Sequence, residues 1–179
     1  FFKLIGWKVE ARVEPAMKHS VMIAAPHTSN WDFPIALAAF WIMGLDLKFL
    51  IKSEYTRGPL GLFFRWAGAI GVDRSQRRNH LTEFAVDLLE QRKLVLMIPP
   101  EGTRRAVQQW HLGFYHIASR AGVPISLGPL DYRRKVADVL AVLTPSGDVE
   151  ADMKTIEYHY STITPRHPEG YNKRIYKGS

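Results

Sequence analysis

His27 and Asp32 are the residues whose types and spacing point most directly to chemistry. Four residues separate the imidazole from the carboxylate, and the pair directly follows an apolar run. A carboxylate that accepts a hydrogen bond from one imidazole nitrogen leaves the other nitrogen free as a general base. Because no partner serine is evident, the proton would come from the hydroxyl of a substrate.

The same stretch has a structural interpretation. Ser29 and Asp32 fit the Ser-x-x-acid pattern of a capping box, in which side chains satisfy the first amides of a helix. In that case Asp32 is only a helix cap and His27 a surface residue of a loop. On these residues alone, both interpretations remain open.

The elements around this pair favour a strand-to-helix loop. Val21 to Ala25 reads as a buried strand that Pro26 ends, and Phe33 to Met43 reads as a buried helix. His27 is therefore expected in the loop, with Asp32 at or near the N-terminus of the helix. Other elements are predicted from hydrophobic patterns: strands at 47–51, 69–72, 94–98, 123–127, near 130 and at 136–143, and helices at 62–67, 79–93, 112–120 and 148–160.

This alternation predicts an α/β fold: one domain over residues 1–179 with a largely parallel central sheet flanked by helices. In such sheets, ligands bind beyond the carboxyl ends of the strands. Arg74 and Glu101 each follow a predicted strand, as His27 does. We therefore expect these three loops to line one cleft.

The amino-acid composition of the chain favours some classes of function and excludes others. The chain has 179 residues, 46% of them hydrophobic and 12% aromatic, with a net charge of +7 and no cysteine. A basic surface favours anionic partners, namely nucleic acid, acidic lipid or a phosphorylated substrate. Disulfides, thiolate metal sites and a cysteine nucleophile are excluded. The longest uncharged apolar stretch, residues 33–45, is shorter than the roughly 18 residues that cross a bilayer.

Four segments, taken in order, resemble the glycerolipid acyltransferase family, whose best-known members acylate lysophosphatidic acid. His27 and Asp32 match its His-x4-Asp pattern, and residues 100–104 match its Pro-Glu-Gly-Thr-Arg motif without a break. Gly68 and Arg74 match its Gly-x-x-Phe-x-x-Arg motif, with Gly71 in the phenylalanine position. Residues 123–125 are similar to its apolar-Pro-apolar block. His111 stands where a lysine is frequent.

The resemblance implies direct transfer of a fatty acyl group from acyl-CoA or acyl carrier protein to a hydroxyl of a lipid precursor, without a further cofactor. It implies His27 as the general base and Asp32 as the group that orients it. Arg74 and Arg104 are implied to bind the phosphate of the acceptor. Glu101, Gly102 and Thr103 are implied to bind the acceptor or shape its loop.

The implied partners are an acyl thioester, a lipid acceptor and an anionic membrane surface, with a cytoplasmic, peripheral location on the inner face of the membrane. We expect no metal, because no histidines lie at ligand spacing. We expect no nucleic acid, because no recognition motif for it is present. Two alternatives remain: a non-catalytic basic module that binds anionic lipid or nucleic acid, and a thioester hydrolase.

Overall fold

A six-stranded sheet forms the centre of the molecule in a computed structural model that describes residues 2–73 and 78–178. In chain order, the strands are β1 (Lys8–Val9), β2 (Ser20–Ala24), β3 (Leu47–Lys52), β4 (Ala69–Val72), β5 (Val95–Ile98), β6 (Ile125–Gly128), β7 (Leu130–Asp131), β8 (Val136–Ala137) and β9 (Val142–Leu143). The central sheet has the order β4-β3-β5-β2-β6-β9, and β1, β8 and β7 form a small second sheet.

Strands β2 to β6 run parallel to their neighbours, and β9 joins the edge of the sheet antiparallel to β6. The helices that flank the sheet are α1 (Asp32–Met43), α2 (Pro59–Trp66), α3 (Arg78–Gln91), α4 (Gly113–Ala121) and α5 (Val149–Tyr160). The predicted α/β fold with a largely parallel sheet is therefore confirmed.

The two faces of the sheet bury different clusters because side chains alternate along each strand. On β2, Val21 and Ile23 pack into one cluster with side chains of α3, α4 and α5, which we call the closed face. Met22 points the other way, into a second cluster with side chains of α1 and the residue that follows α2; we call this the open face.

Three elements differ from the prediction. Helix α2 begins at Pro59 rather than residue 62, because a proline costs no hydrogen bond in the first turn of a helix. The predicted strand at 136–143 is two short strands that belong to different sheets. The short strand β1, which pairs with β8, is not among the predicted strands. Phe2 and Trp7, just before it, are buried.

The chain after α5 packs along the molecule as an extended segment. Ile163 and Ile175 are buried in the cluster of the closed face, and the amide of Trp110 donates to the carbonyl of Ile175. This segment therefore covers part of the closed face. Within the two described ranges, no helix has the length and apolar character that crossing a bilayer requires.

Candidate active site

His27 and Asp32 meet in the loop between β2 and α1. The distance between Nδ1 of His27 and Oδ2 of Asp32 is 3.0 Å. Asp32 is the first residue of α1 and is buried, whereas about 29% of the His27 side chain is exposed. The carboxylate is therefore fixed inside the protein while the imidazole reaches the surface of the site.

The capping interpretation of this loop is wrong, because the N-cap of α1 is Trp31 and no side-chain hydrogen bond caps the helix. Oδ2 of Asp32 accepts hydrogen bonds from the amides of Thr28 and Ser29, each at 2.9 Å, and the Ser29 hydroxyl oxygen accepts one from the amide of Trp31. These amides precede α1, so the bonds order the loop rather than cap the helix. The same carboxylate oxygen contacts His27, so ordering the loop and orienting the imidazole are one arrangement rather than alternatives.

Asp32 is held in its ionised form. Burial alone would raise the pKa of Asp32, but hydrogen bonds from His27, Tyr132 and Ser29 outweigh burial, so its pKa lies below the ordinary value. An ionised carboxylate can only accept hydrogen bonds, so Nδ1 of His27 is the donor. When the imidazole is neutral, Nε2 therefore carries the free lone pair.

Glu101 connects the loop after β5 to the loop after β2. Its Oε2 accepts a hydrogen bond from the backbone amide of His27 at 2.7 Å, and its side chain is buried. Burial raises the pKa of Glu101 to about 7, although the bond from His27 acts in the opposite direction. The expected meeting of these two loops is confirmed, because β2 and β5 are parallel neighbours.

The rest of the Pro-Glu-Gly-Thr-Arg motif turns away from His27. Gly102 has a φ of +66°, a backbone conformation that favours glycine. Thr103 and Arg104 are exposed, and no ion pair joins Glu101 and Arg104 in the described part of the chain. Arg74 lies outside the described residues, so its predicted place in the cleft is untested.

Tyr132 is a residue of this site that the motifs do not indicate. Its hydroxyl donates to Oδ1 of Asp32 at 2.6 Å, which is the oxygen that His27 does not use. Tyr132 follows β6 and β7, and β6 is the other parallel neighbour of β2. Ligands bind beyond the carboxyl ends of parallel strands. The same reasoning applied to β6 indicates the segment that carries Tyr132.

The C-terminal segment also reaches the loop. The amide of His167 donates to the hydroxyl oxygen of Thr28 at 3.2 Å. The guanidinium of Arg166 lies over the rings of Trp31 and Tyr132, with distances to the ring centres of 5.7 and 6.0 Å. No sequence signal marks these residues, because their position depends on where the tail packs.

An apolar cavity of about 310 Å³ opens beside the imidazole. Its walls come mainly from the open face, and among its lining residues are Met22, Phe33, Phe40, Phe49, Phe64 and Met97. His27 and Asp32 lie at its polar end. The volume is at the lower end of the roughly 300–1,000 Å³ typical of ligand pockets.

The polar groups of the site do not form a metal-ligand set. Among residues 2–73 and 78–178, no group of three or more histidine, aspartate or glutamate side chains is placed to hold a metal ion. What the arrangement provides is an oriented base, a buried anion behind it and an apolar cavity in front of it.

Comparison with known proteins identifies one match. A family model described as Acyltransferase matches residues 8–126, about two thirds of the chain. No curated protein and no solved structure matches it. The matched range includes His27, Asp32 and Glu101 and ends before Tyr132 and the tail.

Proposed function

This chain belongs to the acyltransferase family, and on that premise we propose that it transfers a fatty acyl group from acyl-CoA or acyl carrier protein to a hydroxyl of a lysophospholipid or related lipid precursor. The observation that carries the proposal is the contact between Nδ1 of His27 and Oδ2 of Asp32 at the polar end of an apolar cavity. This contact leaves Nε2 as a base where an acyl chain has space to lie.

In the proposed reaction, Nε2 of His27 removes the proton of the acceptor hydroxyl as its oxygen attacks the carbonyl carbon of the thioester. The tetrahedral intermediate collapses, the C–S bond breaks, and the imidazolium returns the proton to the leaving thiolate. Asp32 stays ionised and stabilises the imidazolium. A base positioned in this way contributes roughly 10² to 10⁴ in rate.

Four groups position the base and its carboxylate. Tyr132 and the Thr28 and Ser29 amides fix the carboxylate of Asp32, and Glu101 fixes the backbone of His27. Because Glu101 is buried and already bonded to that amide, we assign it a positioning role in addition to the acceptor binding that the resemblance implies. No step requires a metal or a covalent enzyme intermediate.

Binding of the acceptor is assigned to the exposed end of the motif and to Arg74. A guanidinium can bind two phosphate oxygens at once, which favours Arg104 and Arg74 for a phosphorylated headgroup. Gly102 and Thr103 shape the exposed turn that carries Arg104. Replacing both arginines by alanine should raise the KM for a phosphorylated acceptor; an unchanged KM would contradict this assignment.

The chain has a net charge of +7. We propose that this charge attracts the protein to anionic lipid rather than to nucleic acid. Because a lipid acceptor lies in a membrane, we place the protein in the cytoplasm, bound peripherally to the inner face of the membrane. The acyl donor arrives from solution.

The decisive experiment measures thiol release from acyl-CoA with and without lysophosphatidate. The protein contributes no background because it has no cysteine. We expect release that depends on the acceptor, and a loss of roughly 10² to 10⁴ in His27→Ala. His80→Ala, which removes an exposed histidine of α3, serves as the matched control.

The other outcomes identify the alternatives. Release that is equal without acceptor would mean hydrolysis of the thioester, with water in the place of the hydroxyl. No release from acyl-CoA or from acyl carrier protein, with any of a panel of lysolipids, would mean a binding module. Equal rates for His27→Ala and the control would remove His27 from the mechanism.

A further inference from the structure

Large apolar side chains gather on the surface beside the open face. We call this set the aromatic patch; its members are Trp41, Ile42, Leu60, Leu62, Phe63 and Trp66, and all are exposed. Trp66 is 67% exposed and Trp41 52%. The rings of Trp41 and Trp66 are 4.8 Å apart, and those of Phe63 and Trp66 are 6.1 Å apart, so the patch is continuous across α1 and α2.

Helix α2 is apolar on both of its sides. Leu62 and Trp66 are four residues apart, and Phe63 lies three residues before Trp66, so these side chains share the outer side of the helix. Gly61 is buried on the inner side, and Phe64 is half-buried there. A helix at the surface of a water-soluble protein normally turns a polar side outward, so this outer side indicates a partner.

The patch borders the cavity of the proposed active site. Phe64 lines the cavity and also contacts Phe63 of the patch, with ring centres 5.7 Å apart. On α1, Phe40 lines the cavity and the next residue, Trp41, belongs to the patch. The aromatic patch and the lining of the cavity are therefore in direct contact through Phe63 and Phe64.

Basic side chains flank the patch. Lys52, Arg57 and Arg65 are exposed in the segment that leads into and through α2, against one exposed acidic residue, Glu54. Aromatic rings with neighbouring lysine or arginine are typical of surfaces that bind the interface of an anionic membrane. A second copy of the chain suits this surface less well, because a symmetric dimer would place these positive charges opposite each other.

We infer that the aromatic patch is the surface through which the protein docks on an anionic lipid bilayer, with acyl chains reaching the cavity past α2. This inference rests on the proposed function, since it names the side from which that function receives its lipid. It also predicts orientation: α1 and α2 face the membrane, and α3 and α5 face away from it.

The test is co-sedimentation of the full chain with vesicles of phosphatidylcholine alone and with phosphatidylglycerol added. Leu62→Ser with Trp66→Ser is the patch variant, and Phe84→Ser with Tyr158→Ser is the matched control, since both of its side chains are exposed on α3 and α5. We expect binding to anionic vesicles to fall roughly a hundredfold in the patch variant, about tenfold for each large apolar side chain. The control should bind like the unchanged protein.

A second variant tests the charge without altering the apolar side chains. Arg57→Glu with Arg65→Glu should weaken binding to anionic vesicles and reduce its dependence on salt, while leaving the melting temperature unchanged. Unchanged vesicle binding in the patch variant would overturn the inference, and so would equal binding of the unchanged protein to neutral vesicles. A dimer that the patch variant dissolves, without any vesicle binding, would assign the surface to a second copy instead.

Vesicle binding needs no acyl transfer, so the two proposals fail separately. His27→Ala should bind vesicles like the unchanged protein even if it transfers no acyl group. A chain that docks through the patch but never releases thiol would contradict the proposed function alone.

Discussion

The two faces of the central sheet differ although the same strands supply both. On the closed face, Leu89, Phe114, Met153 and Ile156 are fully buried and pack in one cluster. On the open face, a cavity of about 310 Å³ separates α1 from part of the sheet. We therefore expect side chains of the closed face to contribute more to stability than those that border the cavity.

The largest expected difference comes from making the same substitution on each face. Phe114→Ala on the closed face should lower the free energy of unfolding by about 3–5 kcal/mol, because it leaves a void among fully packed neighbours. Phe64→Ala on the open face should cost only about 1–2 kcal/mol, since its side chain already borders a cavity. Urea unfolding of both variants measures the difference, and equal costs would contradict the division into two faces.

Glu101 lies in the loop after β5 and belongs to neither face, and its titration should make the free energy of unfolding depend on pH. Its pKa is raised to about 7 in the folded protein from an ordinary value of 4.5. Between these values the folded state holds a proton that the unfolded chain has lost, so stability falls as the pH rises through this range. The loss should reach up to about 3 kcal/mol by pH 8 and remain there.

Glu101→Gln separates the charge from the hydrogen bond. The amide oxygen can still accept from His27, so urea unfolding between pH 5 and 8 should show a smaller loss of stability than in the unchanged protein. Glu150→Gln, at an exposed position on α5, should keep the original slope. A Glu101→Gln protein with the same slope would show that another group titrates in this range.

Enlarging a side chain, instead of truncating it, should destabilise the protein on the closed face but mainly change activity on the open face. Ala118→Phe on the fully buried side of α4 should cost about 1–3 kcal/mol or more, because the closed face has no space for a ring. Ala36→Phe, which points into the cavity, should cost less than about 1 kcal/mol and reduce kcat/KM for long-chain donors more than for short ones. Urea unfolding measures the stability of both variants, and kinetics with acyl-CoA of several chain lengths measure the preference for length. An unchanged preference in Ala36→Phe would show that the acyl chain does not occupy this cavity.

The smallest expected effect tests a residue outside both faces. Tyr132→Phe removes the donor to Oδ1 of Asp32 and should lower kcat by about tenfold with little change in KM, since Tyr132 acts on the base and not on the substrate. Tyr158→Phe, on an exposed tyrosine of α5, is the control. A change in KM alone would give Tyr132 a role in binding instead.

Local sequence patterns were sufficient for most elements and for the central pair of the site. The apolar runs of β2 and β5 and the polar residues after them predicted that His27 and Glu101 would meet, because parallel strands end at one edge. Helix α2 starts earlier than predicted because Gly58 and Pro59, which are residue types that usually interrupt helices, here form its N-cap and first residue.

Other parts of the site depend on contacts that no local pattern contains. Tyr132 reaches Asp32 across 100 positions of the chain, and His167 reaches Thr28 across 139. Neither residue belongs to a motif. The cavity could not be predicted either, because the sequence of α1 is apolar throughout and does not show which of its residues lack a packing partner.

The bond between His167 and Thr28 has a consequence for how the protein folds. The two residues are 139 positions apart, so the bond closes a long stretch of chain and forms only when the segment after α5 lies against the loop between β2 and α1. The loop that carries His27 therefore gains its full set of contacts only in the completed fold.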